Sequence, residues 1–205
     1  WIPTLDKTVT DVPIPSPQTS YGIFGFGQES SYVGYTNLVS NSGVVATDVS
    51  AVGTARGYLG ACEYGYDKGI FGFGYTGSVT GVTNLVSNSG VVATDVSAVG
   101  TARYSKGATY NANKGIFAFG YTNTFVSTSN LVSSAGVVAT DTAGVGSARW
   151  SVAATQYGNT KGIFGFGYTG SNTGITNLIS DAGVVASNVS AVGTARQDLG
   201  ACSWG

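Results

Sequence analysis

The chain has 205 residues, a net charge of −1 from 9 basic and 10 acidic side chains, 32 glycines and no histidine. So sparse and balanced a charge gives no electrostatic footprint for a phosphate backbone or an anionic membrane surface, and nucleic acid is not an expected partner. No apolar run reaches the roughly 20 residues that a helix crossing a bilayer needs, so membrane insertion is not expected either. The absence of histidine excludes Ser-His-Asp and Cys-His nucleophile arrangements of the usual kind and most zinc sites. Two cysteines are too few for a structural zinc cluster, no Asp-x-Asp-x-Asp calcium loop is present, and no cofactor is expected.

Residues 1 to 20 stand apart from the rest of the chain. Pro3, Pro13, Pro15 and Pro17 favour an extended, polyproline-like segment, either a linker to a neighbouring domain or a strap that Trp1 and Ile2 anchor. The chain begins at Trp1 without a methionine, which reads as processing, trimming or excision from a longer protein.

From residue 21 the chain is a repeat and reads as one domain, 21 to 205. Gly22-Ile23-Phe24-Gly25-Phe26-Gly27 recurs at Gly69, Gly115 and Gly162, at spacings of 47, 46 and 47 residues. That period signals a solenoid or a propeller. Each copy continues into a Thr-Asn-Leu type segment (Ser-Asn-Leu in the third copy), a Gly-Val-Val-Ala segment and a Gly-Thr-Ala-Arg or Gly-Ser-Ala-Arg segment; residues 36 to 56 and 83 to 103 are identical. Within the unit after Arg103, alternation and Gly/Asn punctuation predict strands over 104–110, 115–121, 128–133 and 137–141. Turns are expected at 111–114, 123–127 and 134–136. Glycine, valine, threonine and aromatic residues dominate every window, which argues against helix. Four short strands in about 46 residues make one propeller blade.

The Ala-Arg pair opening the first strand, the Ile-Phe-Gly-Phe-Gly second strand and the Thr-Asn-Leu third strand resemble the kelch repeat over residues 21 to 205. The double glycine of that repeat is replaced here by Gly-Phe-Gly, and its fourth-strand tryptophan is absent. The uniform copies also resemble the kelch-type arrays of bacteriophage tail and marine viral metagenomic proteins. The resemblance implies an all-β, four-bladed propeller and a receptor-binding role, extracellular or virion-associated. The first copy lacks its own first strand, and residues 195 to 205 are a first strand with no blade after them. These pieces are expected to complete one blade and close the ring, removing an exposed edge. The alternatives are association of chains into a larger ring or assembly, or a fragment of a longer array.

Arg56, Arg103, Arg149 and Arg196 recur once per unit. Kelch analogy places them on the innermost strand, around one end of a channel. Each either pairs with a carbonyl or an Asp between blades or contributes to an anion or sugar-carboxylate site. The copies differ most in the stretch after the second strand and in the pair after the repeated Arg. Those two loops are expected to open on one face, making it the candidate binding surface. There, Tyr32, Tyr75, Tyr104, Tyr121, Trp150 and Tyr168 are candidates to stack on sugar rings, with Asn123 and Asn172 supplying amides. The alternative is that the tyrosines pack over blade edges. A second aromatic group, Tyr64, Tyr66, Tyr110, Tyr157 and Trp204, is expected on the opposite face.

Asp48, Asp95, Asp141 and Asn188 occupy one repeated position and are expected to bond backbone N–H groups at a turn. Cys62 and Cys202 are equivalent in two copies and read either as small buried residues or as a bridge between neighbouring blades. A glycosidase needs only two carboxylates, for which Glu29 and Glu63 break the repeat most clearly; the alternative is solvated loop acids. Asn188-Val189-Ser190 matches a glycosylation acceptor but is too common a triplet to assign a compartment. The reading that results is a non-enzymatic module binding a glycan or a cell-surface receptor. A structural or protein-interaction scaffold is the second reading.

Overall fold

The computed structural model describes residues 21–50, 52–97, 99–110 and 113–204. The Pro-containing segment 1–20 lies outside them. Among the described residues all regular structure is β, in four small antiparallel sheets. The first sheet has two strands, β1 (Gly22–Gln28) and β2 (Tyr32–Val39). The second pairs β3 (Gly60–Tyr64), β4 (Lys68–Gly72) and β5 (Thr83–Val86). The third pairs β6 (Tyr104–Tyr110), β7 (Lys114–Tyr121) and β8 (Phe125–Val132). The fourth pairs β9 (Ala153–Tyr157), β10 (Lys161–Gly165) and β11 (Thr176–Ile179). In each three-stranded sheet the middle strand carries the Gly-Ile-Phe motif and bonds both neighbours.

Three of the four strands expected per unit form. The fourth, expected over 137–141, does not become a ladder. It runs antiparallel to β8 but bridges it only at Val138, opposite Val132, and at Thr142, opposite Ser129. The reason is a side chain: Asn130 sends its amide to the Ala139 carbonyl and the Asp141 carboxylate, standing between the two bridges. Asn84 and Asn177 do the same in their units. The turn before it forms as expected, with Gly136 N–H donating to Ser133 O at 2.9 Å. The expected turn at 123–127 is shorter, because β8 already begins at Phe125.

The core lies between sheets. Alternation along the middle strand sends Phe71 and Phe117 back toward the preceding sheet and Ile70 and Ile116 forward. Phe117 reaches the preceding sheet because position 72 is glycine: a Cβ there would stand 2.8 Å from the Phe117 ring. Gly25 makes the same room for Phe71. The next aromatic along each strand meets the incoming ring edge-on, Phe26 with Phe71 at 5.3 Å, Phe73 with Phe117 at 5.2 Å and Phe119 with Phe164 at 5.4 Å. Three clusters of buried apolar residues, one at each junction, result.

Gly120 holds the end of the motif at φ +128°, with its N–H donating to Arg149 O at 2.8 Å. A Cβ at this position would overlap the Tyr104 carbonyl oxygen. Gly120→Ala is therefore expected to cost about 2–4 kcal/mol in urea unfolding, from left-handed strain plus displacement of β6. Gly77→Ala, at φ +111° but facing open space, is expected to lose only the strain, about 1 kcal/mol.

The expected completion of the first sheet by residues 195 to 205 is not seen. Among the described residues β1 pairs with β2 alone, residues 195–204 form no strand, and Trp204 is 93% exposed. Leu199-Gly200-Ala201-Cys202 repeats Leu59-Gly60-Ala61-Cys62, yet only the earlier copy becomes strand, by pairing with β4. No sheet closes on itself among the described residues.

Candidate binding site along the aromatic edge

Each sheet ends on the same side in an aromatic residue paired across the ladder. Tyr104 stands opposite Tyr121, Trp150 opposite Tyr168 and Gly57 opposite Tyr75. Beyond each repeated Tyr the chain makes the same tight turn, with Thr76, Thr122 and Thr169 N–H groups donating to the carbonyls of Ser78, Thr124 and Ser171. It then comes back beside the Tyr, placing Phe125 opposite Tyr121 and Asn172 opposite Tyr168. The two variable loops therefore meet on one edge, as expected from the sequence.

The rings on this edge touch in a continuous series. Tyr32 meets Tyr75 at 5.8 Å between centroids, Tyr75 meets Tyr104 at 5.3 Å, and Tyr104 stacks on Tyr121 at 5.8 Å with only 16° between planes. Trp150 leans on both Tyr104 and Tyr121, and Phe125 links Tyr121 to Tyr168. Tyr58, half exposed, packs on Tyr104 at 5.2 Å. Burial and the neighbouring tyrosines hold the Tyr104 phenol above its ordinary value. All six aromatic residues expected at the site are thus brought together. Tyr58 and Phe125 were missed, although both stand in the stretches that differ among copies.

Beneath the series, a cavity of about 270 Å³ opens between Tyr58, Tyr104, Lys106, Trp150, Ser151 and Asp198. Its lining includes three aromatic residues, a lysine, an aspartate and two serines. Asp198, held at φ 56°, accepts from the Gln197 amide at 3.0 Å.

Asn123 lies on the same edge but serves the turn. It adopts φ 104° where the equivalent residues are Gly77 and Gly170, a conformation Asn tolerates better than most residues. Asn172 is exposed beside Tyr168.

The arginines are not a ring on that face. Arg56, Arg103 and Arg149 are fully buried between sheets. Each stacks on a phenylalanine of one sheet, Phe26, Phe73 and Phe119 respectively, at 4.0–4.3 Å. Each also donates from Nε to a carbonyl of the next sheet, Phe73 O, Phe119 O and Phe166 O. Arg56 and Arg103 add Nη2 bonds to Asn84 and Asn130 at 2.6 and 2.7 Å. Of the two alternatives read for these arginines, pairing with a carbonyl is the one that forms, here between successive sheets. Burial pushes these guanidinium groups down to about 10, which leaves them cationic at neutral pH. Arg196 alone is exposed, stacked on Phe166 at 4.2 Å.

Of the four side chains at the repeated Asp/Asn position, three accept a backbone N–H as expected, and they take it from the preceding unit. Asp95 accepts from the Thr54 N–H and hydroxyl, Asp141 from the same groups of Thr101, and Asn188 from the Ser147 N–H. Burial opposes ionisation of Asp95 and Asp141, but the Thr and Asn hydrogen bonds and the nearby arginine outweigh it and hold both carboxyls below the usual range.

The second aromatic group is not a surface cluster. Tyr64 and Tyr110 are buried, each lying against a turn glycine of the following sheet, Gly136 and Gly183. Tyr66, Tyr157 and Trp204 are exposed. Cys62 and Cys202 are free thiols, and burial pushes the Cys62 thiol up to about 12. Glu29 is exposed in the β1–β2 turn, and Glu63 is exposed on β3 of the second sheet. Among the described residues no group of three or more acidic or cysteine side chains gathers as a metal site.

Compared with protein-family models and with curated proteins, the chain matches neither any family model nor any curated protein.

Proposed function

We propose that the four sheets are blades of a kelch-like propeller array, and that the chain is a non-enzymatic module binding carbohydrate or a glycosylated receptor. The observation that carries this is the unbroken series of rings from Tyr32 to Tyr168 on one edge. Aromatic faces cover the apolar C–H surface of a sugar while hydroxyl and charged groups set its orientation. The cleft of Tyr58, Tyr104 and Trp150 beside Lys106 and Asp198 offers both kinds of group. Equivalent tyrosines in successive sheets suit weak contacts repeated along a multivalent ligand, where avidity rises by orders of magnitude without a new contact.

A second reading, a scaffold for a peptide or protein partner, draws on the residue after each repeated Arg. Gly57, Tyr104, Trp150 and Gln197 differ from unit to unit, as a surface for one asymmetric partner does.

A glycan array probed with the wild type and with a Tyr58→Ala, Trp150→Ala double variant separates these readings. Both rings lie on the edge rather than in the cores between sheets, so the variant is expected to fold. Loss of two stacking contacts predicts binding weakened about tenfold or more. Retention of binding by the variant removes the site from this edge. Silence of the wild type across the array favours the scaffold.

A further inference from the structure

The contacts between successive sheets are built from a fixed set of parts, and the first and last sheets each hold one half of that set unused. At the internal junctions a phenylalanine of the following sheet enters a small-residue site and a threonine or serine N–H meets an acid or amide; at the first two of them an arginine of the preceding unit also reaches an asparagine. At the start of the array Phe24 is 62% exposed. Asn37 donates to Ala46 O and Asp48, but among the described residues Asp48 has no hydrogen bond to a neighbouring unit's threonine. At the other end, a Cβ at Gly165 would meet only the Thr176 methyl of its own sheet. Arg196 is exposed over Phe166, and among the described residues its guanidinium donates only to Thr194 O, from Nη1, within its own segment.

The strand edge shows the same division. Among the described residues β1 is paired on one side only, and beside it lies a cavity of about 490 Å³ lined by Tyr21, Leu38, Val44 and Gly90. At the next two junctions the corresponding turn glycines, Gly136 and Gly183, lie against Tyr64 and Tyr110, the last residues of first strands. Among the described residues the first sheet has no such strand. The segment Gly200-Ala201-Cys202-Ser203-Trp204 aligns with Gly60-Ala61-Cys62-Glu63-Tyr64, which puts Trp204 in the place of Tyr64. In the register of β3 on β4, Cys202 falls opposite Ile23 and Trp204 opposite Tyr21.

We infer that this chain associates head to tail with a second copy of itself. Residues 200–204 of one copy add as a strand to the free edge of β1 in the next, and Trp204 fills the cavity beside Gly90. Phe24 enters the site at Gly165, and Arg196 reaches Asn37 Oδ1 as Arg56 reaches Asn84. Within one chain these halves do not meet: Trp204 and Phe24 are both open to solvent and residues 195–204 are not strand. Because the two faces differ, the contact is heterologous and produces a ring or a filament. Strand addition supplies main-chain hydrogen bonds, and the side-chain pockets set the register.

Sedimentation velocity on the full chain, with Phe24→Glu and Arg196→Glu variants, tests this. The wild type is expected to exceed the mass of one chain and to grow with concentration. Each variant alone loses one face and is expected to sediment as a monomer. Their equimolar mixture still pairs the intact tail of Phe24→Glu with the intact head of Arg196→Glu, so its mass is expected to double and stop there. A wild type that stays monomeric at every concentration, including one whose own tail closes on β1, overturns the inference. So does a variant that still self-associates, or a mixture that forms no dimer.

Discussion

Arg103→Ala is expected to destabilise the chain by about 3–5 kcal/mol, the range for removing one member of a buried charged network and stranding its partners. The guanidinium donates to Phe119 O at 3.0 Å, Thr101 O at 3.0 Å and Asn130 Oδ1 at 2.7 Å while lying over the Phe73 ring. Asp141 stands 3.9 Å away. Alanine would leave the buried Asn130 Oδ1 without its donor, remove the Nε donor from Phe119 O and open a space between the second and third sheets. Arg103→Lys is expected to recover little, because one ammonium cannot present a planar fork to three acceptors and a ring face. Urea unfolding provides the measurement, with Arg196→Ala as the internal control. Arg196 has the same sequence context but an exposed side chain, so at concentrations where copies are apart its loss is expected to fall within about 0.5 kcal/mol. Equal losses at the two positions would mean that the interlock between sheets contributes nothing.

Phe117→Ala is expected to cost about 3–5 kcal/mol by creating a cavity in a fully buried cluster. Phe117 has no exposed surface, sits against the open face of Gly72 and shares its cluster with Ile70, Phe73, Val132 and Val138. The backbone of β7 cannot collapse onto β4, since the neighbouring Phe73 and Arg103 fix the spacing of the two sheets. Denaturant unfolding should show a lower midpoint with an unchanged slope. Phe24 occupies the same repeat position with most of its ring in solvent, so Phe24→Ala in the dissociated chain is expected to cost under about 1 kcal/mol. A large loss at Phe24 would show that the first sheet is already covered in solution.

The amino-acid sequence determines the local layer of this protein. Glycine and β-branched punctuation sets the all-β class, the period sets four recurring sheets, and the strand 104–110 is legible residue for residue. Variation among copies marked the edge where Tyr32, Tyr75, Tyr104, Tyr121, Trp150 and Tyr168 converge. That reading works because loops free of packing constraint can differ while interlocking strands cannot. Even the missed Tyr58 and Phe125 lay in the stretches so marked.

Burial and pairing were decided only by tertiary structure. Residues 36–56 and 83–103 are identical, yet Val45 is 53% exposed and Val92 is 7% exposed. Among the described residues the difference is a preceding sheet, present behind one copy and not behind the other. Likewise Gly60-Ala61-Cys62 is strand and Gly200-Ala201-Cys202 is not. A β-strand takes its hydrogen bonds from another segment, so a first strand forms only where a second stands beside it. The arginines teach the same lesson from the side-chain level. A guanidinium repeated once per unit suits a ligand ring or a structural lock equally well in sequence, and only the phenylalanine beneath it and the asparagine of the next sheet distinguish the two.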